Sequence, residues 1–347
     1  MNIYFIVVCH ILFYLLFGGF PLLASEYGPQ IIVPNDYVTR EKFYDSNEMT
    51  TIKNILPTEY TGKDSIIIFG QKSWHIVNIK SDFKSEAIKI SKVNSVLVRP
   101  EIVKLNKSFN IIERGPIADV GLKDLSGNQY WTFNPDPEIS IKTMAFGDVD
   151  KDGKVEFYVS SSNGIYRLDL NGNQVWRRGN WAYDVKVLKK KIKEKAQIVS
   201  VGFDGRNLQF WDCDGDLIHT VKLKIRVYSL ETVIWEKSES FIVHSGRSIY
   251  LLSNTGEIIF KHSLENEIFL TRAKIIGSKQ SFYLAVIAKF RSSSGLAMLC
   301  IFDNSGEIFY KELINTTSAL QSVGPNREVL LVGNGPGVVY KYTVRNQ

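Results

Sequence analysis

The chain has 347 residues and a formal net charge of +6. Hydrophobic residues make up 44% and charged residues 22%, an ordinary globular balance that excludes wholesale disorder and collagen-like architecture. Three cysteines exclude a disulfide-dense scaffold.

Residues 3–24 read IYFIVVCHILFYLLFGGFPLLA, with no charged side chain. Two readings fit. In one, residues 1–24 are a secretory signal, with the breaker Gly18-Gly19-Phe20-Pro21 just ahead of Ala24-Ser25. In the other they are a retained anchor, because a helix of that length at ~1.5 Å per residue reaches across a hydrocarbon core of ~30 Å. The breaker favours cleavage and leaves residues 25–347 as one domain. Both readings put the remainder on the exported side, secreted or periplasmic in the first case and single-pass membrane-anchored in the second.

An internal repeat organises most of that remainder. Five segments share one pattern: KDLSGNQYW (123–131), LDLNGNQVW (168–176), WDCDGDLIH (211–219), LSNTGEIIF (252–260) and FDNSGEIFY (302–310). Their glycines, Gly127, Gly172, Gly215, Gly256 and Gly306, are spaced by 45, 43, 41 and 50 residues. Three positions earlier stands Asp124, Asp169, Asp212, Ser253 or Asp303, and four positions later Trp131, Trp176, His219, Phe260 or Tyr310.

A glycine among Asp, Asn and Ser closes a tight hairpin, and the flanking residues have strand composition. Between one such hairpin and the next there is room for another strand pair, as in DVKVLKK, AQIVSVGF, NLQFWDC and LIHTVKL. Four antiparallel strands every 40–50 residues predict an all-β chain folded as a β-propeller. Extending the register outward gives units near 50–90, 94–134, 139–179, 182–223, 226–263, 269–314 and 318–344, hence seven blades. Counts of six and eight stay open because the first two units are the least regular. The last unit stops one strand short. The strand-like segment at Gln30, Ile31, Ile32 and Val33 is expected to supply that strand and close the ring. Cys213 and Cys300 then fall on blades four and six, beyond the ~7 Å Cα limit for a disulfide.

The repeat resembles the docking motif of the quinoprotein-like propeller superfamily, where a tryptophan four residues after the glycine packs between neighbouring blades. Trp131 and Trp176 match it in full, while His219, Phe260 and Tyr310 keep a ring without the indole. The resemblance implies a fold rather than a chemistry.

One stretch carries site chemistry. Residues 146–159, FGDVDKDGKVEFYV, contain D-x-D-x-D-G-x-x-E: Asp148, Asp150, Asp152, Gly153 and Glu156. Calcium takes six to eight hard oxygen ligands, and closely spaced carboxylates at a glycine turn supply them. The expected ligands of one Ca2+ are Asp148, Asp150, Asp152, the carbonyl of Lys154, and Glu156. An EF-hand is excluded, since the flanks IKTMAF and KVEFYV are strand-like and loop position 12 is Val159. The loop resembles that of FG-GAP repeats in integrin α-like propellers, which carry it between the first two strands of a blade. The trio Asp212, Asp214 and Asp216 reads as ordinary turn chemistry.

No catalytic residue is assigned. There is no G-x-S-x-G, H-E-x-x-H or phosphate-binding glycine loop, and the histidines show no metal-ligand spacing. Residues 186–195, KVLKKKIKEK, begin at Lys186, end at Lys195 and carry most of the net charge, with six lysines and one glutamate. They are expected at a hairpin tip in blade four, solvated or docked to an anionic surface. Nucleic acid is not an expected partner of an exported chain. The favoured expectation is a calcium-binding propeller that acts as a protein-interaction or assembly module. The alternatives are an exported propeller enzyme, such as a quinoprotein-type dehydrogenase or glycan lyase, and a membrane-anchored adhesin or receptor.

Overall fold

The computed structural model describes residues 30–345, apart from short stretches at 47–48, 50, 59–64, 71–72, 80–84, 93–99, 106–107, 115–118, 193–194, 278–281, 292–294, 316–318, 325–326 and 335–336. The expected signal or anchor, residues 1–24, lies outside them. Every regular element among the described residues is a strand.

The strands form seven antiparallel sheets arranged as a ring of blades. Blade one spans 54–92, blade two 101–133, blade three 141–178, blade four 182–222, blade five 230–263 and blade six 268–315. In each, strand order in space follows chain order, from the innermost strand to the outermost. Blade seven takes Leu320–Val323, Val329–Asn334 and Val338–Val344 from the carboxyl end. Its outer strand is Val38–Asp45, which pairs antiparallel to Val338–Val344 from Val38↔Val344 to Asp45↔Val338. An amino-terminal strand therefore closes the ring, as expected, but the residues differ. Gln30–Val33 instead adds a fifth strand to blade six, pairing with Ile308–Asn315. The turn at residues 34–37 lets the chain cross from one blade to the next. The longer Val38–Asp45 matches the seven-residue strand it must cover, which the four residues of Gln30–Val33 do not.

Burial explains the sequence pattern. Middle strands are covered on both faces by neighbouring blades, so they read as continuous apolar runs. Ser65–Phe69, Glu156–Ser161 and Val329–Asn334 are buried at every position. Outermost strands such as Gln174–Arg178 bury a single central residue.

The five glycine turns share one geometry. Gly127, Gly172, Gly215, Gly256 and Gly306 have φ between 80° and 94°, a region that penalises any Cβ. In each turn the side chain three residues earlier accepts a hydrogen bond from the amide one residue after the glycine. Asp124, Asp169 and Asp212 do so at 2.8 Å, Asp303 at 3.0 Å and Ser253 at 3.1 Å. The aspartate and the glycine of the motif are thus two halves of one turn.

The motif's aromatic residue joins one blade to the next. A Cβ on Gly172 would meet the Trp131 ring at 2.6 Å, one on Gly215 would meet Trp176 at 3.0 Å, and one on Gly306 would meet Phe260 at 2.6 Å. Both indoles also donate to the carbonyl two residues before that glycine, Trp131 to Leu170 and Trp176 to Cys213, each at 3.0 Å. His219 departs from this scheme. It stacks on Phe210 of its own blade, 4.3 Å between centroids, and Gly256 is covered by Val221 and Leu223 instead. Cys213 and Cys300 are free thiols.

Candidate metal loop, axial charges and aromatic face

In an antiparallel blade the hairpins joining strands one to two and three to four lie at one end. The hairpins joining two to three, and the links between blades, lie at the other. The ring thus has two faces, one carrying the acidic loop and the glycine turns, the other carrying the inter-blade links.

The acidic loop joins Ile141–Gly147 to Glu156–Ser161, the first two strands of blade three. The structure brings the four predicted carboxylates together: Asp148, Asp150, Asp152 and Glu156 each offer an oxygen, and these oxygens lie within 4.8 Å of one another. The loop is shaped by its own amides. Gly153 donates to Asp148 at 3.2 Å, Asp152 to Asp150 at 3.1 Å and Lys154 to Asp152 at 2.7 Å. Lys151 and Gly153 take positive φ, which folds the chain back over the carboxylates. Glu156 is buried at the loop's base, and its Oε2 accepts the Val149 amide at 2.8 Å. Burial raises the Glu156 carboxyl above its ordinary range, with Asp150 and Asp148 adding to the effect. A divalent cation would relieve both causes, so the donor set fits calcium.

One basic residue escaped the sequence reading. Arg167, from the third strand of blade three, places Nη2 2.9 Å from Asp150 and 3.5 Å from Glu156. Its Nη1 donates to the Cys213 carbonyl at 2.9 Å in the glycine turn of blade four. Arg167 therefore ties the acidic loop to the next blade. Its place in a strand, eleven residues beyond the motif, left no spacing signal. Lys154 pairs its ammonium with Asp152 at 3.3 Å. The trio Asp212, Asp214 and Asp216 does make an ordinary turn, with Asp212 accepting the amides of the other two.

The ring's axis carries charge. Arg272 of blade six pairs with Glu101 of blade two, which is not its neighbour, so the pair crosses the channel. Arg272 also lies 3.9 Å from Glu231 of blade five, and Lys186 of blade four lies 3.4 Å from Glu231 and 3.8 Å from Asp184. Asp184 further accepts Thr143 Oγ1 of blade three at 2.6 Å and the Leu230 amide of blade five at 2.9 Å. One carboxylate thus links three blades. Burial opposes ionisation of Glu231, but Lys186 and Arg272 outweigh it and hold its carboxyl below the usual range.

This corrects the reading of the lysine-rich stretch. Lys186 is a channel residue, and the strand runs on to Ile192. Lys189 donates to the Thr232 carbonyl at 3.5 Å, and the Lys190 amide donates to Glu239 at 3.0 Å, so the strand leans on blade five. Glu194, and Lys193 beside it, lie outside the described residues.

The opposite face exposes aromatic rings. Trp181, Tyr183, Phe203 and Tyr228 form a chain of edge-on contacts with centroids 4.9–5.7 Å apart. Phe203 is 67% exposed and Tyr228 44% exposed. Lys142 sits over Trp181 at 5.2 Å. Farther round the same face, Phe269 is 47% exposed beneath Arg291. Isolated exposed rings are common, but a contiguous cluster is not. These residues come from a blade's entry, a hairpin and an inter-blade link, so no local motif announced them.

No protein-family model matches the sequence, and no curated protein matches it. Solved structures do match the fold. "BBS1N in complex with ARL6DN" aligns with a TM-score of 0.59 at 14% identity, covering 91% of this chain and 99% of that one. BamB from Moraxella catarrhalis aligns with a TM-score of 0.52 at 16% identity, covering 85% and 86%. At such identities the likeness is one of fold.

Proposed function

We propose that the protein is an exported, calcium-stabilised propeller that acts as an interaction or assembly module, and that its contact face is the aromatic one. The observation carrying this reading is the cluster of Phe203 and Tyr228 with Trp181 and Tyr183. Aromatic rings supply large contact area at low entropic cost, and they dominate the energetics of protein interfaces. The solved BBS1N structure, a propeller with a protein bound, supports such use of the fold. Export rests on residues 3–24. In this reading Asp148, Asp150, Asp152, the Lys154 carbonyl and Glu156 hold one calcium ion on the far side of the ring, as a staple rather than as the contact itself.

The test immobilises the mature chain and its Phe203→Ser/Tyr228→Ser variant, and recovers bound proteins in calcium and in chelator. The reading expects a defined partner captured by the native face and lost in the variant, with both chains equally stable. Equal capture by both would overturn the assigned face. The enzyme reading expects polar groups converging on the channel, and these are present. Their carboxylates are engaged by Arg272, Lys186 and backbone amides, so none is placed as a free base, and the interaction reading is favoured. The mass of the mature protein separates cleavage after residue 24 from a retained anchor.

A further inference from the structure

Cations edge the aromatic cluster at both ends. At one end Lys142, held by Ser140 Oγ at 2.9 Å, lies over the Trp181 ring at 5.2 Å. At the other, the link into blade five is pinned to the hairpin that carries Phe203, with the Val227 amide donating to the Gly205 carbonyl at 2.7 Å. A Cβ added to Gly205 would meet Arg226 Cγ at 2.9 Å and the Tyr228 ring at 3.5 Å, so both side chains lie against that hairpin. Val227 between them is fully buried, and Arg226 and Tyr228 are both exposed. Contacts therefore run unbroken from Lys142 through Trp181, Tyr183 and Tyr228 to Gly205 and Arg226.

The charge along this path is one-sided. Lys142, Arg206, Lys224 and Arg226 form no ion pair among the described residues, and the last three are exposed. Asp204, in the Phe203 hairpin, is turned onto its own turn, where it accepts the Arg206 amide and Asn207 Nδ2, each at 2.8 Å. Farther round the face the sign reverses. Asp136 and Glu138 are exposed in the link before blade three, and Glu265 and Glu267 in the link after blade five. The basic region is thus a stripe with acid on both sides. The path from Lys142 to Tyr228 is no longer than about five extended residues at ~3.3 Å each.

We propose that this stripe binds an acidic, extended segment of a partner protein, with an apolar side chain seated on Phe203 and Tyr228 and carboxylates facing Lys142 and Arg226. The proposal rests on the aromatic face being the contact face and adds the chemistry of what it contacts. The rings supply contact area, and the flanking cations supply orientation and a faster encounter. A partner's carboxylate meets cations that have no intramolecular carboxylate to give up. A flat anionic lipid surface fits less well. It would also press on Asp136, Glu138, Glu265 and Glu267, whereas a narrow segment passes between them.

The test selects random phage-displayed peptides of about twelve residues on the immobilised mature chain, and titrates the synthesised winners by fluorescence anisotropy. Selected peptides should carry Asp or Glu around an apolar residue, and should bind Phe203→Ser/Tyr228→Ser about tenfold or more weakly. Arg226→Gln and Lys142→Gln should each weaken them about threefold, Arg226→Lys should largely retain binding, and added salt should weaken it. Lys195→Gln, at the exposed hairpin tip on the opposite face, should leave affinity unchanged. Should Lys142→Gln fail to fold, Arg226→Gln alone carries the charge test. Peptides lost in the ring variant, but selected without acidic residues and indifferent to Arg226→Gln, would overturn the acidic partner and keep the contact face. Peptides that bind every variant equally, or no selection at all, would overturn both. Sedimentation with phosphatidylcholine vesicles holding about 30% phosphatidylserine tests the rival surface. Vesicle binding that Arg226→Gln and the ring variant abolish would assign the stripe to lipid and overturn the proposal.

Discussion

Arg40 on the ring-closing strand is paired with Glu312 of blade six, whose side chain is fully buried. The Tyr310 hydroxyl donates to the other Glu312 oxygen at 2.7 Å. The charged latch thus sits where the two ends of the chain meet. Removing Arg40 would leave a buried carboxylate without its counter-charge, which typically costs about 3–5 kcal/mol. Arg40 keeps some solvent contact, so we expect the lower end for Arg40→Met, read as a fall in the urea midpoint. Adding Glu312→Gln removes the stranded charge and keeps an acceptor for Tyr310. The double variant should therefore be more stable than Arg40→Met alone. A double variant at or below the single one would show that the latch is not electrostatic.

The glycine turns make a second expectation sharp. Gly172 has φ of 80°, and a Cβ there would lie 2.6 Å from the Trp131 ring. Gly172→Ala should cost about 2 kcal/mol or more, from backbone strain and from displacing the indole. Gly246, at φ of 58°, has nothing within 4 Å of its added Cβ. Gly246→Ala should show the backbone cost alone, about 1 kcal/mol. Equal losses in the two variants would mean that the aromatic residue does not pack tightly at the blade interface.

The difference between what the sequence disclosed and what it concealed follows from locality. The turn of Asp124 with Gly127, and its four repeats, is written within nine consecutive residues, so the blade repeat and strand order could be read directly, whereas the count of seven came from extending that register outward and left six and eight open. The acidic loop is equally local, and its carboxylates converge as expected. Arg167, Glu101 and Glu312 are different. Each acts on a partner brought near by ring closure or by a neighbouring blade, and nothing in their own segments marks it. The same holds for closure itself. Gln30–Val33 and Val38–Asp45 are both plausible strands, and only three-dimensional register assigns the first to blade six and the second to blade seven. The lysine-rich stretch looked like a solvated tip because charge runs usually are. Its first lysine instead lies between Asp184 of its own strand and Glu231 of the next blade.

Calcium should stabilise the chain if the acidic loop holds it. A ligand present at about a hundredfold excess over its Kd adds about 2.7 kcal/mol, enough to raise the melting temperature measurably. Asp152 is exposed and pairs with Lys154 of its own loop alone, so Asp152→Asn should abolish the calcium response while barely changing metal-free stability. Asp150→Ala should abolish it and also lower metal-free stability, because Arg167 loses its 2.9 Å partner. Unchanged melting of the native chain in calcium and in chelator would sink the metal assignment. It would leave Arg167 as the loop's resident cation.

Acid should weaken the fold through His244. Its Nδ1 accepts the Leu270 amide at 3.3 Å, which leaves the proton of the neutral ring on Nε2. Burial lowers its pKa from the ordinary 6.5 to about 4. Between those values the unfolded chain binds a proton that the folded chain does not, so stability is full above pH ~6.5 and falls as pH drops toward ~4. The linkage amounts to about 2 kcal/mol at pH 5 and approaches about 3 kcal/mol near the folded pKa. Carboxylates also titrate at the lower end, so the informative quantity is the difference from His244→Gln, which retains an acceptor but no titrating group. Chemical unfolding at pH 7 and pH 5 should show a smaller loss in the variant by about 2 kcal/mol. Equal losses would mean that burial does not depress the His244 pKa in the native protein, so that the ring titrates alike in the folded and unfolded chains.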